Sequence, residues 1–169
     1  MNSSDLLNSI QAADLDAIDL HLLQALQADA SLSNQDLAAK VHVSPPTCLR
    51  RVKRLHELDL IERQVAILQP DRLKAVIGAG LTAIVEITLT EQTEETIAAC
   101  EARLVQEPAV QQCYRVSPGP DLMAVIQVRD MPAYHALAQR LFTQDAKVRN
   151  VKTFFATSRA KFSTALSWL

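Results

Sequence analysis

The stretch SPPTCLRRVKRL, Ser44 to Leu55, places four cations within five residues: Arg50, Arg51, Lys53 and Arg54. A guanidinium is a planar fork of donors that can pair bidentately with guanine O6 and N7 or clamp a phosphate, so arginines gathered on one helix carry chemistry suited to nucleic acid. On a helical wheel of about 100° per residue, Cys48, Val52, Leu55 and Asp59 share one side with Leu49 at its margin, and Thr47, Arg50, Arg51 and Arg54 fall opposite. Lys53 sits off that stripe, as a phosphate contact or a solvated charge. Pro45 and Pro46 fit a first helical turn, where backbone N–H groups have no intrahelical partner, and Ser44 is placed to cap it. Thr47, near the start, can reach a base edge or a thymine methyl. A charge run is more often a solvated face, so the elements around this one decide its meaning.

Other chemistry is sparse. His21, His42, His56 and His135 have no metal-ligand spacing with Cys48, Cys100 and Cys113, so no metal site is expected. Three glycines in 169 residues leave no phosphate-cradling loop, and no nucleophile, acid–base pair or cofactor motif stands out; neither catalytic residues nor a cofactor is expected. Glu94 and Glu95 fit an exposed helix start, where the macrodipole favours carboxylates. The three cysteines, odd in number and widely spaced, read as free thiols, mostly in cores.

Leu15, Ile18, Leu22, Leu23 and Leu26 recur at helical spacing after Asp14 or Asp16, either of which can cap the first turn. Ser33 and Asp36 make a capping-box-like start for a short second helix with Leu37, Ala38 and Val41 inward. A brief turn leads into the Pro45 helix, and LIERQVAIL suits a strand pair ending at Pro70. Three short helices and a terminal hairpin predict a winged helix-turn-helix over residues 14–70. In this context the basic helix reads as the one that enters the major groove of double-stranded DNA, with Ser44, Thr47, Arg50, Arg51, Arg54 and Lys53 as the contact set.

DRLKAVIGAG, with its glycines, reads as a linker over residues 71–80. Period two then begins: Leu81, Ala83, Val85, Ile87 and Leu89 share one face. A helix from Thr93 to Gln106 turns Ile97, Cys100, Leu104 and Val105 inward. VQQCYRV and DLMAVIQV are strands flanking the turn SPGP, the second apolar on both faces and hence central. Asp130 and Pro132 open another helix, lined by Tyr134, Leu137, Ala138, Leu141 and Phe142, and VRNVKTFFATS is the last strand. The order β-α-β-β-α-β predicts a ferredoxin-like αβ-sandwich over residues 81–169, making the chain α+β. Phe154 and Phe155 must point to opposite sheet faces. One of them, with Leu81, Val85, Ile87 and Met123, is expected to cover the open face in a dimer.

The formal net charge of −2 hides an acidic opening, with no Lys or Arg before Lys40. No apolar run approaches the about 20 residues that span a bilayer, and MNSSDLLNSIQAADLD has no signal-peptide pattern; it reads as a frayed lead-in, with a short helix through Leu6, Leu7 and Ile10. No membrane partner is expected, and reduced thiols fit a cytoplasmic location.

From Leu15 to Leu169 the sequence resembles the Lrp/AsnC family of bacterial and archaeal transcription regulators. The resemblance rests on the LDxxD opening at Leu15, on the long motif SPPTCLRRVKRL, and on KFSTAL, Lys161 to Leu166. It implies control of genes of amino-acid metabolism or transport. It also implies homodimers, tetramers or octamers built from them, and an amino-acid effector bound by the C-terminal domain. Two departures stand out. Asp59 occupies the glycine position that follows the family's recognition helix, an αL site that Asp tolerates. In the effector loop, where the family carries V-T/S-G-x-x-D, this chain reads VSPGPD, with Pro118 at the glycine position. Pro118 and Pro120 supply no N–H and stiffen the loop. Ser117, Gly119 and Asp121 remain as effector contacts, Asp121 toward an α-amino group; equally, the loop is a plain turn with Asp121 capping a strand end. Effector binding is therefore expected to be altered or absent. A competing reading is a small-molecule-binding ferredoxin-like domain whose helical module engages proteins and reads no DNA.

Overall fold

The computed structural model describes residues 15–78 and 80–167; the expectations for the first fourteen residues fall outside these. The chain packs as two units, one reaching Ile67 and resuming at Phe162, the other Leu68–Lys161.

In the first unit, α1 (Ala17–Ala28), α2 (Asn34–Lys40) and α3 (Pro45–Glu57) enclose Leu22, Ala25, Leu37, Ala38, Val41, Cys48 and Leu55. Asp16 caps α1: its Oδ1 accepts the Asp19 N–H at 3.0 Å while Asp19 Oδ2 accepts the Asp16 N–H at 3.3 Å, a reciprocal capping box. Ser33 caps α2 by accepting the Asp36 N–H and donates its hydroxyl to Asp36 Oδ2 at 2.6 Å. Asn34 Nδ2 donates to the Pro45 carbonyl at 2.9 Å, fastening the start of α2 to the start of α3. The tail returns to this unit, where Gln27 accepts the Leu166 N–H at 2.7 Å and donates to its carbonyl at 2.9 Å.

Two helices end in the same device. After α2, the His42 N–H bonds the Ala39 carbonyl and the Val43 N–H bonds that of Ala38; after α3, Asp59 bonds His56 and Leu60 bonds Leu55. Both are Schellman motifs, which need a left-handed residue at the turn. His42 (φ 57°) and Asp59 (φ 53°) fill that position where glycine is the usual choice. The αL geometry foreseen at Asp59 is present, and His42 adds a second instance in the turn that sets the angle between α2 and α3.

The expected wing is absent. Residues 60–69 run without a strand ladder, Leu60 and Ile61 packing against the helical core and Val65, Ile67 and Leu68 exposed. Residues 60–69 contain no Gly, Asn or Asp, so the positive-φ turn that tight hairpins favour has no suitable residue here. The predicted linker also differs, since Pro70–Ile77 forms a helix, α4, before Gly78 takes φ 87°. A proline at its first position and seven residues free of glycine outweigh the breakers that follow.

The second unit is a four-stranded antiparallel sheet in the order β2-β3-β1-β4, built from β1 (Leu81–Leu89), β2 (Val110–Arg115), β3 (Leu122–Val128) and β4 (Val148–Phe155). With α5 (Glu94–Gln106) and α6 (Met131–Ala138) it gives the ferredoxin-like αβ-sandwich. Ala83, Val85, Ile87 and Leu89 meet Leu122, Ala124 and Ile126, and this face packs against Cys100, Leu104, Tyr134, Leu137, Leu141 and Phe142. Beyond Ala138 the chain makes a π turn, Gln139–Thr143. A π turn uses more chain per revolution than an α turn, which lets consecutive Leu141 and Phe142 both reach the core.

Val105, expected inward, is exposed, because it lies about 140° around α5 from Cys100. Val85 and Ile87 belong to the helix-side core, with Leu81 packed against it, and not to the open face. The open face carries Ile84 beside Phe154, with Met123 opposite Tyr114, whereas the Phe155 ring meets Tyr134 edge-on at 5.1 Å on the helix side.

Relieving the αL strain at His42 is the first test. His42→Gly should raise unfolding free energy by about 0.5–1 kcal/mol, the strain relieved exceeding the added chain entropy of glycine. Urea unfolding that shows no gain would mean the turn is not strained.

Candidate functional site

α3 begins at two prolines in the first and second helical positions, so two of its orphan amides do not exist. Ser44 accordingly makes no side-chain cap to the backbone and instead donates to Thr47 Oγ1 at 2.9 Å. The helix start is therefore a pair of hydroxyls and two pyrrolidine rings rather than a set of outward amides.

The four cations of α3 divide. Arg51 turns away from solvent: its Nη1 lies 2.8 Å from Asp19 Oδ1 and 2.9 Å from Asp16 Oδ2, and its side chain is 21% exposed. Arg54 Nη1 lies 3.2 Å from Asp19 Oδ2, with 40% of its side chain exposed. Lys53 is solvated and pairs along the helix with Glu57 at 3.5 Å. Arg50 is exposed and makes no salt bridge among the described residues. The wheel explains the division. Arg51 is about 40° from Leu55 and about 60° from Cys48, on the flank that packs against α1, whereas Arg50 lies near the centre of the outward arc.

Asp19 is the residue that sequence reasoning missed. It is 1% exposed and accepts from Arg51, Arg54 and the Asp16 N–H. The signal was available in the LDxxD spacing: an acid three residues past a capping acid falls on the side of α1 that meets α3. The hydrogen bond to Asp19, then that to Asp16, raises the Arg51 pKa further above its ordinary value despite the opposing effect of burial. The Asp19 amide, together with Arg51, lowers that of Asp16. Arg51 Nε is buried without a partner, the one imperfect contact of an otherwise paired cluster.

The second candidate site is the loop between β2 and β3. Ser117 and Gly119 are exposed, Gly119 at φ 124°, and the Ser117–Pro118 bond is cis. Asp121 is half-buried. Its Oδ2 accepts the Leu89 N–H at 2.7 Å, and its own N–H donates to the Ile87 carbonyl at 3.0 Å. Val116 N–H reaches the Asp121 carbonyl at 3.2 Å, closing the loop across its base. Asp121 thus ties the loop to the end of β1, and the structure brings it, Ser117 and Gly119 into one short turn.

Nearby polar groups have structural partners. Arg115 takes Glu94 with two bonds at 2.7 and 2.9 Å and Glu101 at 2.6 Å, which joins β2 to α5 and pushes the Arg115 pKa up. Burial raises the pKa of Cys48, Cys100 and Cys113, so their reactive thiolate forms are disfavoured. Among the described residues no group of three or more His, Cys, Asp and Glu could hold a metal ion, and no helix is long and apolar enough to cross a membrane.

Residues 15–56 match the AsnC-type helix-turn-helix domain, and residues 82–166 match the Lrp/AsnC ligand binding domain. The Bkd operon transcriptional regulator of Pseudomonas aeruginosa is 35% identical over 90% of this chain and 97% of its own length. The leucine-responsive regulatory protein of Salmonella typhimurium is 33% identical over 90% and 91%. An AsnC family transcriptional regulator from Agrobacterium tumefaciens superposes with a TM-score of 0.80 at 30% identity, covering 90% of this chain and 97% of that one. A transcriptional regulator from Neisseria meningitidis solved with L-Met shares the fold, with a TM-score of 0.79 at 24% identity over 90% and 96%. With a buried Asp19 bracing a basic helix in the first unit and a ferredoxin-like sheet in the second, the chain belongs to the Lrp/AsnC family of transcriptional regulators.

Proposed function

We propose that this regulator binds double-stranded DNA in the cytoplasm as a homodimer, or as a tetramer or octamer of such dimers, and controls genes of amino-acid metabolism or transport. The observation that carries the reading is the exposed arc of α3, where Thr47, Arg50, Lys53 and Arg54 project from a helix seated by the α2–α3 turn. Arg50 reads a base edge and Lys53 a phosphate, with Ser44 orienting Thr47 at the helix start. Arg51, although part of the same run, acts from within by bracing α3 on Asp19 and Asp16.

Dimerisation uses the open sheet face. Ile84 at 37% exposure, Phe154 at 44% and Tyr114 at 54%, with Met123, form an apolar surface that a second copy would cover, and two helices joined by a dimer read paired half-sites. The names of relatives point to amino acids as the effector class. The loop of this chain answers that class poorly, because Pro118 and Pro120 offer no N–H and Asp121 already accepts from Leu89.

Three outcomes are expected. In a mobility-shift assay, Arg50→Ala loses affinity for a selected site by about 10- to 100-fold and relaxes preference at one base position, the equivalent of about 1–3 kcal/mol; unchanged affinity and preference would sink the assignment. Sedimentation at micromolar concentration gives a dimer or larger for the native chain and a smaller species for Phe154→Glu; a native monomer would refute the sheet interface. Calorimetry with leucine or methionine gives weak or undetectable heat, and tight binding that Asp121→Ala abolishes would contradict the altered-loop reading.

A further inference from the structure

The start of α3 is apolar on one side. Pro45, Pro46 and Leu49 are exposed there, Leu49 at 61%. On the helical wheel Leu49 lies about 40° from Lys53 and about 60° from Pro46, but about 120° from the packed Leu55. It takes no part in the helical core, and it was not in the contact set expected from the sequence. A leucine alone on a surface is ordinary; this one stands in a patch with two pyrrolidine rings, with Arg50 next to it and Lys53 one turn along. A helical side chain leans toward the N-terminus of its helix, so Leu49 extends over the turn that holds the prolines. Those two positions carry no N–H, and Ser44 makes no cap to the backbone, so this helix start presents apolar surface where most helices present amides.

A partner for the patch must bring negative charge for the cations and an apolar group for the leucine within one helical turn. The major groove of double-stranded DNA has both. Its walls are phosphates, and the apolar group among its base edges is the thymine 5-methyl. A recognition helix in the groove sets its N-terminal residues against base edges, and Leu49 is in that part of α3. Thr47, the other residue able to meet a methyl, is half-buried, and its hydroxyl oxygen accepts from Ser44.

We propose that Leu49 is a specificity-determining residue: with Pro46 beside it, it packs on the 5-methyl of a thymine next to the base pair read by Arg50, and so selects thymine there. The inference rests on the proposed DNA-binding role of α3 and deepens it by adding an apolar reader to the polar one. Cytosine at that position would set an amino donor against the leucine, and uracil would leave the space of the methyl empty.

The test replaces the thymines of a site selected from random sequence by deoxyuridine, one at a time, which removes the methyl and leaves the Watson–Crick edge intact. Binding is followed by fluorescence anisotropy for the native chain, Leu49→Ala, Thr47→Ser and Arg50→Ala. For the native chain, uracil next to the base pair whose preference relaxes in Arg50→Ala should weaken binding about three- to fivefold, the scale of one buried methyl. In Leu49→Ala the thymine and uracil duplexes should bind alike, with affinity for the thymine duplex reduced about three- to tenfold. Thr47→Ser should keep the uracil penalty. The proposal is overturned by a selected site with no thymine beside the Arg50 position, by uracil without effect on the native chain, by a full penalty in Leu49→Ala, or by a penalty lost in Thr47→Ser. The native uracil series decides without any variant having to fold. Sedimentation of Leu49→Ala should match the native chain, and a smaller species would place Leu49 in a contact between copies and overturn the proposal. Failure of any duplex to be enriched, or native affinity and preference in Arg50→Ala, would overturn the DNA-reading role of α3 itself, an outcome separate from a missing methyl effect.

Discussion

A carboxylate that is 1% exposed needs hydrogen-bond donors around it, and Asp19 has three: two guanidiniums from α3 and one amide at the start of its own helix. Helix α1 is thereby bound to the recognition helix by charge as well as by the Leu22–Cys48–Leu55 core. Removing one partner of such a pair typically costs about 3–5 kcal/mol, a large share of the about 5–15 kcal/mol that stabilises a domain. Hydrophobic packing tolerates some sliding of one helix on another, whereas two arginines converging on one carboxylate fix register. In the proposed interface, the orientation of Arg50 and Lys53 then depends on a buried residue of α1.

The two proline-rich stretches show how the same residue type acts in opposite ways. In SPPT the prolines occupy helix positions whose amides have no intrahelical partner, so they cost the helix nothing and restrict its entry. In SPGP they lie in a loop whose family counterpart carries glycine, and they remove donors from a turn that Asp121 closes against Leu89.

Much of the fold was legible because its signals were periodic. The alternation from Leu81 to Leu89 correctly put those residues on one face, though it did not tell which face, and the doubly apolar run of Leu122–Val128 correctly indicated a central strand. The failures are physical rather than random. A wheel that treats every charge as outward cannot see that Arg51, about 40° from Leu55, has a buried acid within reach. Residues 60–68 have the composition of a strand, yet a strand needs a neighbour, and Val65 and Ile67 find none within the described residues of their own chain. Val105 and the linker were misjudged where composition was read without geometry: one on the outer flank of α5, the other an eight-residue helix started by Pro70.

The division of the basic helix into a bracing arginine and a reading arginine is the central claim, and protection of guanine N7 from dimethyl sulfate tests it most directly. On a site selected from random sequence, the native protein should protect major-groove guanines, Arg50→Ala should lose that protection at a discrete position, and a folded Arg51→Gln should keep the native pattern. Protection that survives Arg50→Ala and disappears in folded Arg51→Gln would contradict the account.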